Sequence, residues 1–338
     1  MKTTLFLLGP SDDDARNITN IEFADQERVA GNFNWSGWLP LWPFIQSDAS
    51  LRAKSILGLV GIHSFNPPDN ASLNLFNLVG DADASVASLR EIRHIGERLN
   101  PAHYFNRPEQ VARTTRERLP VTLAGIPGVR VPRVLALKAS SFDEAAAQCE
   151  AFGRWPLIIR ARGFHSGLNM HLLHEPGRLG DFKDAAWLLD QAILSEYVDY
   201  RHTGGLYRKV RIVMVDGVPY PRHAIVSNQP FIHSRNRADL MALEPALRRG
   251  EAQFLQWLAV EGLTAPPYAT IFAAIHARIG LDIYGVDCAL LGDEVLVFEA
   301  NACMHFLDQD YGTSGEYAYL EPHVRTLRRA VKRLLMQA

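Results

Sequence analysis

Apolar positions along the chain follow two periods. Thr4–Leu8 and Leu73–Val79 are short β-rich apolar stretches, ended by Gly9-Pro10 and Gly80-Asp81, and a polar break of that kind follows a parallel strand at its carboxyl edge. Between them the first strand leads into a loop rich in Asp, Asn and Trp that runs through Trp42. After the second, Val86, Leu89, Ile92, Ile95 and Leu99 recur at helical spacing and predict an amphipathic helix. Strand, loop and helix in this order predict a small α/β unit over residues 1–105. Asn100-Pro101 begins a transition, and Asn106 with Pro108 opens a further helix expected to continue to about Leu119.

A Gly/Pro-punctuated passage, Gly125–Val134, leads to a predicted helix at Phe142–Phe152 and a strand at Leu157–Ala161. From there the pattern becomes one of antiparallel pairs. Ile193–Val198 reads as a strand. Val210–Val215 and Val218–Ile225 flank Asp216-Gly217, the strongest short hairpin signal in the chain, and Val286–Leu291 and Glu294–Glu299 flank Gly292-Asp293 in the same way. Two helices, near Ala252–Glu261 and Tyr268–Ile279, lie between the pairs, with Gly280 stopping the second. A last helix carries Val324, Leu327, Val331 and Leu334 on one face and arginines on the other.

Composition narrows the function classes. A chain of 338 residues, 47% hydrophobic and 21% charged, buries a sizeable core and holds two or three structural units. A net charge of −2 without a basic block gives no footprint for nucleic acid. No apolar run reaches membrane-spanning length, and Leu5–Leu8 is too short for a signal peptide. Cys149, Cys288 and Cys303 are odd in number and widely spaced, which is the usage of a reduced, cytoplasmic protein; Cys303 reads as an ordinary buried thiol.

The most specific chemistry lies in the hairpin Tyr284–Phe306. Asp287 stands on its first strand, Glu299 on the second and Asn301 two residues on, so alternation puts Glu299 and Asn301 on one face with Asp287 across from them. Magnesium takes oxygen ligands, usually a few carboxylates plus phosphate oxygens, and this trio supplies them. A surface pair would explain the acids equally simply, except that VLVFEAN ends a run too apolar for an exposed edge. A second segment, Leu157–Met170, delivers Arg160 and Arg162 from an apolar strand into a loop with Gly163, His165, Ser166 and Gly167, where small residues let backbone N–H groups approach a polyphosphate. A third segment ends a strand in Glu196-Tyr197-Val198, a carboxylate with backbone groups that match an adenine edge. It then places Lys209 and Arg211 on one side of the next strand, a pair that a solvated face or an anion between them explains, and the flanking Val210, Ile212 and Val213, which read as a half-buried sheet, favour the anion.

Strand-borne cation with glycine loop, Glu-x-Val hinge, basic strand and Asp…Glu-x-Asn hairpin, in this order, resemble the ATP-grasp superfamily, and within it the glutathione-synthetase and ribosomal-modification ligases. The match covers about Asn106 to the C-terminus. The resemblance implies an α/β (α+β) fold: an N-terminal domain over 1–105, an ATP-grasp N-terminal subdomain over 106–204 and a C-terminal subdomain over 205–338, gripping ATP between antiparallel sheets. It implies that Arg160, where the family more often has Lys, contacts phosphate, that Gly163–Gly167 cover it, and that the Glu196-Tyr197-Val198 hinge holds adenine. Asp287, Glu299 and Asn301 would bind Mg2+, with Mn2+ as a substitute, Lys209 and Arg211 would face the triphosphate, and Arg116 would supply the family's first cation. His233 and Arg235 are candidates for contacting an acyl substrate or its phosphate, as is His223. Asp81 and Asp83 fall where an α/β sheet binds ligands, or cap the following helix; His305 and Asp308 adjoin the metal segment; Trp35, Trp38 and Trp42 read as core or interface. The activity implied is joining a carboxylate of a small molecule or peptide to an amine or thiol through an acyl phosphate, releasing ADP and phosphate. Phosphorylation of a small-molecule hydroxyl, or nucleotide binding without turnover, are the alternatives, and a homodimer is the family expectation.

Overall fold

The computed structural model describes residues 2–12, 21–24, 28–31, 37–61, 73–161, 170–185, 187–202, 204–233, 237–308 and 315–337. The first sheet is parallel, in the order β4-β1-β5-β6, formed by β1 (Thr4–Leu8), β4 (Ser55–Leu59), β5 (Asn74–Asn77) and β6 (Tyr104–Phe105), while β2 (Ile21–Ala24) and β3 (Arg28–Gly31) pair separately. Every residue of β1 is buried, which is why it reads as a continuous apolar run with no alternation. Helix Val86–Leu99 packs Leu89, Ile92 and Ile95 onto it, but Val86, the first position of the predicted stripe, is 48% exposed. The helix is capped from a distance: Asp12 accepts from the N–H groups of Val86 (3.0 Å) and Ala87 (2.9 Å). Asp81 instead closes the turn before it, accepting from the N–H groups of Asp83 and Ala84.

The helix expected from Asn106 to Leu119 does not form as one piece. Pro108–Val111 is a single turn, Ala112–Thr114 is a 3-10 turn, and Thr115 goes extended before a further turn at Leu119–Thr122. Arg107, not Asn106, stands at the N-cap of the first turn. Asn106, at φ 47°, bonds outward: its N–H donates to Asp282, its side-chain amide donates to the Ile283 carbonyl, and its side-chain oxygen accepts from the N–H groups of Asp282 and Ile283. Its own carbonyl accepts from Asn77 at 2.8 Å, so one asparagine ties β5 to the far end of the chain.

After β7 (Val129–Arg130) comes the second sheet, antiparallel in the order β10-β9-β11-β8, from β8 (Val134–Ala136), β9 (Leu157–Ala161), β10 (Met170–Leu173) and β11 (Ala192–Glu196). Helix Phe142–Phe152, with Ser141 accepting from the N–H of Glu144, covers it and forms a core of its own with Leu137, Leu157, Ile159 and Leu194. Strand β11 stops at Glu196, two residues short of the expected end.

The third sheet runs β13-β12-β14-β15-β7, with β12 (Tyr207–Val215), β13 (Val218–Ser227), β14 (Ile283–Leu291) and β15 (Glu294–Asn301) antiparallel and β7 parallel to β15. Both predicted hairpins form, and Asp216 (φ 51°) with Gly217 (φ 75°) makes the left-handed turn that matches strand twist. The helix expected over Ala252–Glu261 begins earlier, at Pro245, and is α-helical only to Trp257, the next five residues winding as a π-turn. Tyr268–Ile279 ends at Gly280 as expected, and helix Glu321–Gln337 buries Val324, Leu327, Val331 and Leu334.

First and third sheets share their cores. Leu5 and Leu75 cluster with Ile212 and Val286, and Phe6 and Phe76 cluster with Val213 and Leu327. At the carboxyl edge of β5 the contact is backbone on backbone, since a β-carbon on Gly80 would lie 2.5 Å from the Ala302 carbonyl carbon and 2.6 Å from the Cys303 nitrogen.

Candidate active site

A cleft of about 1030 Å3 lies between the second and third sheets, closed at its base by Gly80–Asp83 from the first. Four side chains stand in one cross-strand row over its floor: His223 on β13 opposite Arg211 on β12, Arg211 opposite Asp287 on β14, and Asp287 opposite Glu299 on β15. Two β-bulges make this row. Counting back from the turn at Gly292, a regular ladder pairs Asp287 with Phe298; one extra residue shifts the pairing to Glu299. Counting from Asp216-Gly217, a regular ladder pairs Arg211 with Arg222, two like charges directly opposed; the bulge replaces that pair by Arg211 and His223. The extra residues, Phe298 and Arg222, line the cleft as well.

Alternation places Lys209 beside Arg211 on the cleft face while Val210 and Ile212 are buried behind. Arg211 grips Asp287 with two parallel hydrogen bonds, Nε to Oδ1 at 2.7 Å and Nη2 to Oδ2 at 3.0 Å, and Lys209 Nζ reaches Oδ2 at 3.0 Å. Burial of Asp287, 2% exposed, acts to raise its pKa, but the charges of Arg211 and Lys209 outweigh it and hold the carboxyl well below the usual carboxylate range. Glu299 is likewise lowered: burial and Asp287 push it up, and Arg116, Arg160 and Lys209 bring it down. Its Oε1 accepts from Asn301 Nδ2 at 2.7 Å and from Arg116 Nη2 at 3.4 Å. Asn301 is oriented in turn by the Cys303 N–H, which donates to Oδ1 at 3.0 Å. The Cys303 thiol, raised well above its ordinary value by burial and by the charges of Asp81 and Glu299, stays protonated.

From the second sheet, Leu157, Ile159 and Ala161 point into that sheet's core, so Ile158 and Arg160 face the cleft. Burial and the neighbouring Arg116 push the Arg160 guanidinium down to about 10, so it remains charged at neutral pH, with Arg116 and Glu299 beside it. Glu196 lines the cleft with its carboxylate engaged by neighbours. It accepts from Arg130 Nη2 and the Arg133 N–H, both at 3.3 Å, with Arg154 at 3.8 Å. The Tyr197 and Tyr207 hydroxyls meet at 3.0 Å and Val198 is buried; among the described residues the backbone groups of Tyr197 and Val198 form no backbone hydrogen bond.

His233 lines the same cleft. His305 and Asp308 pair with each other at 3.1 Å near the rim. Trp38 and Trp42 pack on the first sheet's core, as read from the sequence. Arg162, Gly163, His165, Ser166, Gly167, Arg235 and Trp35 lie outside the described residues. Arg222 and Arg237 also line the cleft, and Arg222 escaped the sequence reading. Nothing marks a bulge in the alternation of β13, so Arg222 looks like an outward residue.

Three oxygen-bearing side chains, Asp287, Glu299 and Asn301, thus stand together on β14 and β15. Among the described residues no three His, Cys, Asp or Glu side chains are grouped so as to hold a metal ion alone. An all-oxygen set of two carboxylates and one amide fits a hard ion such as Mg2+ that takes its other ligands from phosphate and water.

No family model and no curated protein matches the chain. Among solved structures it is similar to the RimK domain protein ATP-grasp of Sphaerobacter thermophilus, at 14% identity, with 95% of this chain and 100% of that chain covered and a TM-score of 0.48. It is also similar to D-alanine–D-alanine ligase of Bacillus anthracis, at 10% identity, 100% and 98% coverage and a TM-score of 0.49. D-alanyl-alanine synthetase A of Vibrio cholerae is similar at 14% identity, 99% coverage of both chains and a TM-score of 0.49.

Proposed function

We propose that this chain is a Mg2+- and ATP-dependent ligase of the ATP-grasp kind, joining a carboxylate to an amine or thiol. The observation that carries the reading is the charged row of the third sheet facing Arg160 and Arg116 across one cleft. Cations on both walls bracket a polyanion, and paired carboxylates at the base offer a place for its counter-ion. Asp287, Glu299 and Asn301 would hold Mg2+, or Mn2+ in its place, which when bound neutralises charge on phosphate oxygens.

The remaining roles belong to this chain's own groups. Arg160 and Arg116 bind the phosphate tail; the backbone of Tyr197 and Val198, more than the Glu196 carboxylate held by Arg130 and Arg133, meets adenine. Lys209 and Arg211 face the group in transfer. A substrate carboxylate oxygen attacks the γ-phosphorus, the bond to the bridging oxygen breaks, and ADP leaves with the electron pair. An amine or thiol then attacks the acyl carbon, loses its proton, and phosphate departs. Charge accumulates on oxygens at both steps, and fixed cations in a partly desolvated cleft stabilise it without reorganising. His233 and Arg235 remain our candidates for contacts to the acyl group.

The test couples binding to turnover. Calorimetric titration with ADP is expected to show affinity that rises with Mg2+, and Glu299→Gln is expected to abolish that rise. A screen of carboxylates with amines and thiols then follows phosphate release and product mass. Release that needs both partners, with a product lacking phosphate, supports the ligase; a phosphorylated product makes it a kinase, and an unchanged Mg2+ response in Glu299→Gln removes the metal assignment.

A further inference from the structure

Helix Pro245–Trp257 and the π-turn Leu258–Gly262 that continues it have two unlike faces. Glu251, Leu255 and Leu258 turn inward; Glu251, 2% exposed, accepts from the Ala224 N–H (2.7 Å), from Arg237 and from the Tyr319 hydroxyl, which locks the helix onto β13. The outward face carries Arg249, Gly250, Gln253, Trp257 and Val260 three or four positions apart, one exposed stripe about 20 Å long. Trp257 is 40% exposed and Val260 58%, and with Gln253 and Glu261 they line an open groove of about 550 Å3. Trp257 is held in place from behind. Its ring rests on Gly262, where a β-carbon would lie 3.0 Å away, and Phe254 (5.7 Å) and Tyr268 (6.3 Å) pack beside it. A tryptophan fixed in this way, with one side open, loses little freedom when something covers it.

Charge on this face runs against its own helix. A helix dipole favours acids near the N-terminus and bases near the C-terminus, yet Arg249 stands in the N-terminal half and Glu261 at the far end. Among the described residues neither side chain has an ion-pair partner. A second copy laid antiparallel about a two-fold axis corrects both placements at once. In the register that sets Arg249 against Glu261 of the second copy, Gln253 meets Trp257 and Gly250 meets Val260, and symmetry makes each contact twice. Gly250 has open space where a β-carbon would stand, so a valine can seat against its backbone. A parallel copy would oppose Arg249 to Arg249 and Glu261 to Glu261, like charge to like.

We propose that this face is the two-fold interface of a homodimer, with the two helices antiparallel in that register. The occupant is a second copy because the stripe is complementary to itself, in charge and in the match of a bulky residue to a glycine. None of its residues lines the cleft, so the inference stands apart from the ligase reading.

Sedimentation equilibrium of the full chain measures the dimer. A helix pair of this size covers less than the roughly 1,200 Å2 of a standard interface, so a dissociation constant of about 1–100 μM is expected. Arg249→Glu and Glu261→Arg should each weaken dimerisation by about tenfold, and the two together in one chain should restore it to within about threefold of wild type, since the exchanged charges pair again. Val260→Asp puts a charge in the middle of the contact and is expected to cost about tenfold or more. Thermal midpoints of all four variants should stay with wild type, because every substituted position is exposed, and this separates loss of the interface from loss of the fold. A wild-type chain that stays monomeric throughout the range overturns the inference. So does a dimer that ignores Val260→Asp, or a double variant no better than its single parents.

Discussion

On the second sheet a regular ladder runs through β9, and alternation by itself carries Arg160 into the cleft; on the third, the ladder breaks register twice, and each break stands at a charged side chain of the site. The two walls also treat charge differently. Arg160 is desolvated beside Arg116, and the two effects together outweigh the pull of Glu299 and Asp83 and bring its pKa to about 10, whereas Lys209 and Arg211 share one buried acid and Arg211 is raised by it. A cation held against its own solvation is poised for a ligand's charge. A cation neutralised by its neighbour is part of the scaffold until a ligand competes for it.

That contrast sets opposite responses to losing a charge. The largest effect is expected from Asp287→Asn, which leaves Lys209 and Arg211 facing each other unpaired in a buried setting; removing one partner of such a set costs about 3–5 kcal/mol of unfolding free energy, measurable by denaturant titration. A loss under about 1 kcal/mol would put the two walls on the same footing. Arg160→Met comes next. It should leave stability unchanged or slightly higher, yet weaken MgADP by about tenfold to a hundredfold, the worth of a charge-assisted bond of about 1.5–3 kcal/mol. A stability loss matching that of Asp287→Asn would erase the distinction.

The smallest effect concerns protons. His223 has a lowered folded pKa from burial and from Arg211, Arg237 and Arg222, and His202 and His323 are lowered by burial in the same direction. Below the unfolded value of about 6.5 the unfolded chain takes up protons that the folded chain refuses. Stability is therefore full above that value and falls as pH drops toward the folded values, by at most about 1.4 kcal/mol per pH unit for each group. His223→Gln should flatten part of the slope between pH 6.5 and 5.5 in thermal or denaturant melts. Asp287 and Glu299, held low, contribute stability that disappears only further down, as pH falls through their depressed values.

Much of the architecture was legible because it rests on local rules. Helix Phe142–Phe152 runs over the predicted residues, both Asp/Gly hairpins form where turn chemistry put them, and the last helix buries its predicted stripe. What stayed hidden was long-range. Asn106 does not open the helix expected through Leu119, and its partners, Asp282 and Ile283, are remote in sequence. The cap of Val86–Leu99 comes from Asp12, far upstream, and not from the adjacent acids. Asp287 does face Glu299, but through an inserted residue that hydrophobic alternation cannot locate. Glu251 left a faint trace, a carboxylate four positions before buried Leu255 on one helix face, where an apolar residue would be usual.

The seam at Gly80 bears on how anything enters. With no β-carbon to hold them apart, two main chains lie against each other there, Asn106 stitches the same pair of sheets a second time, and their side chains merge into common clusters. Base and floor therefore travel as one anvil, with Glu299 and Asn301 pinned to it. The remaining wall keeps a separate core, so an outward swing of that jaw is the motion that the proposed nucleotide reading calls for.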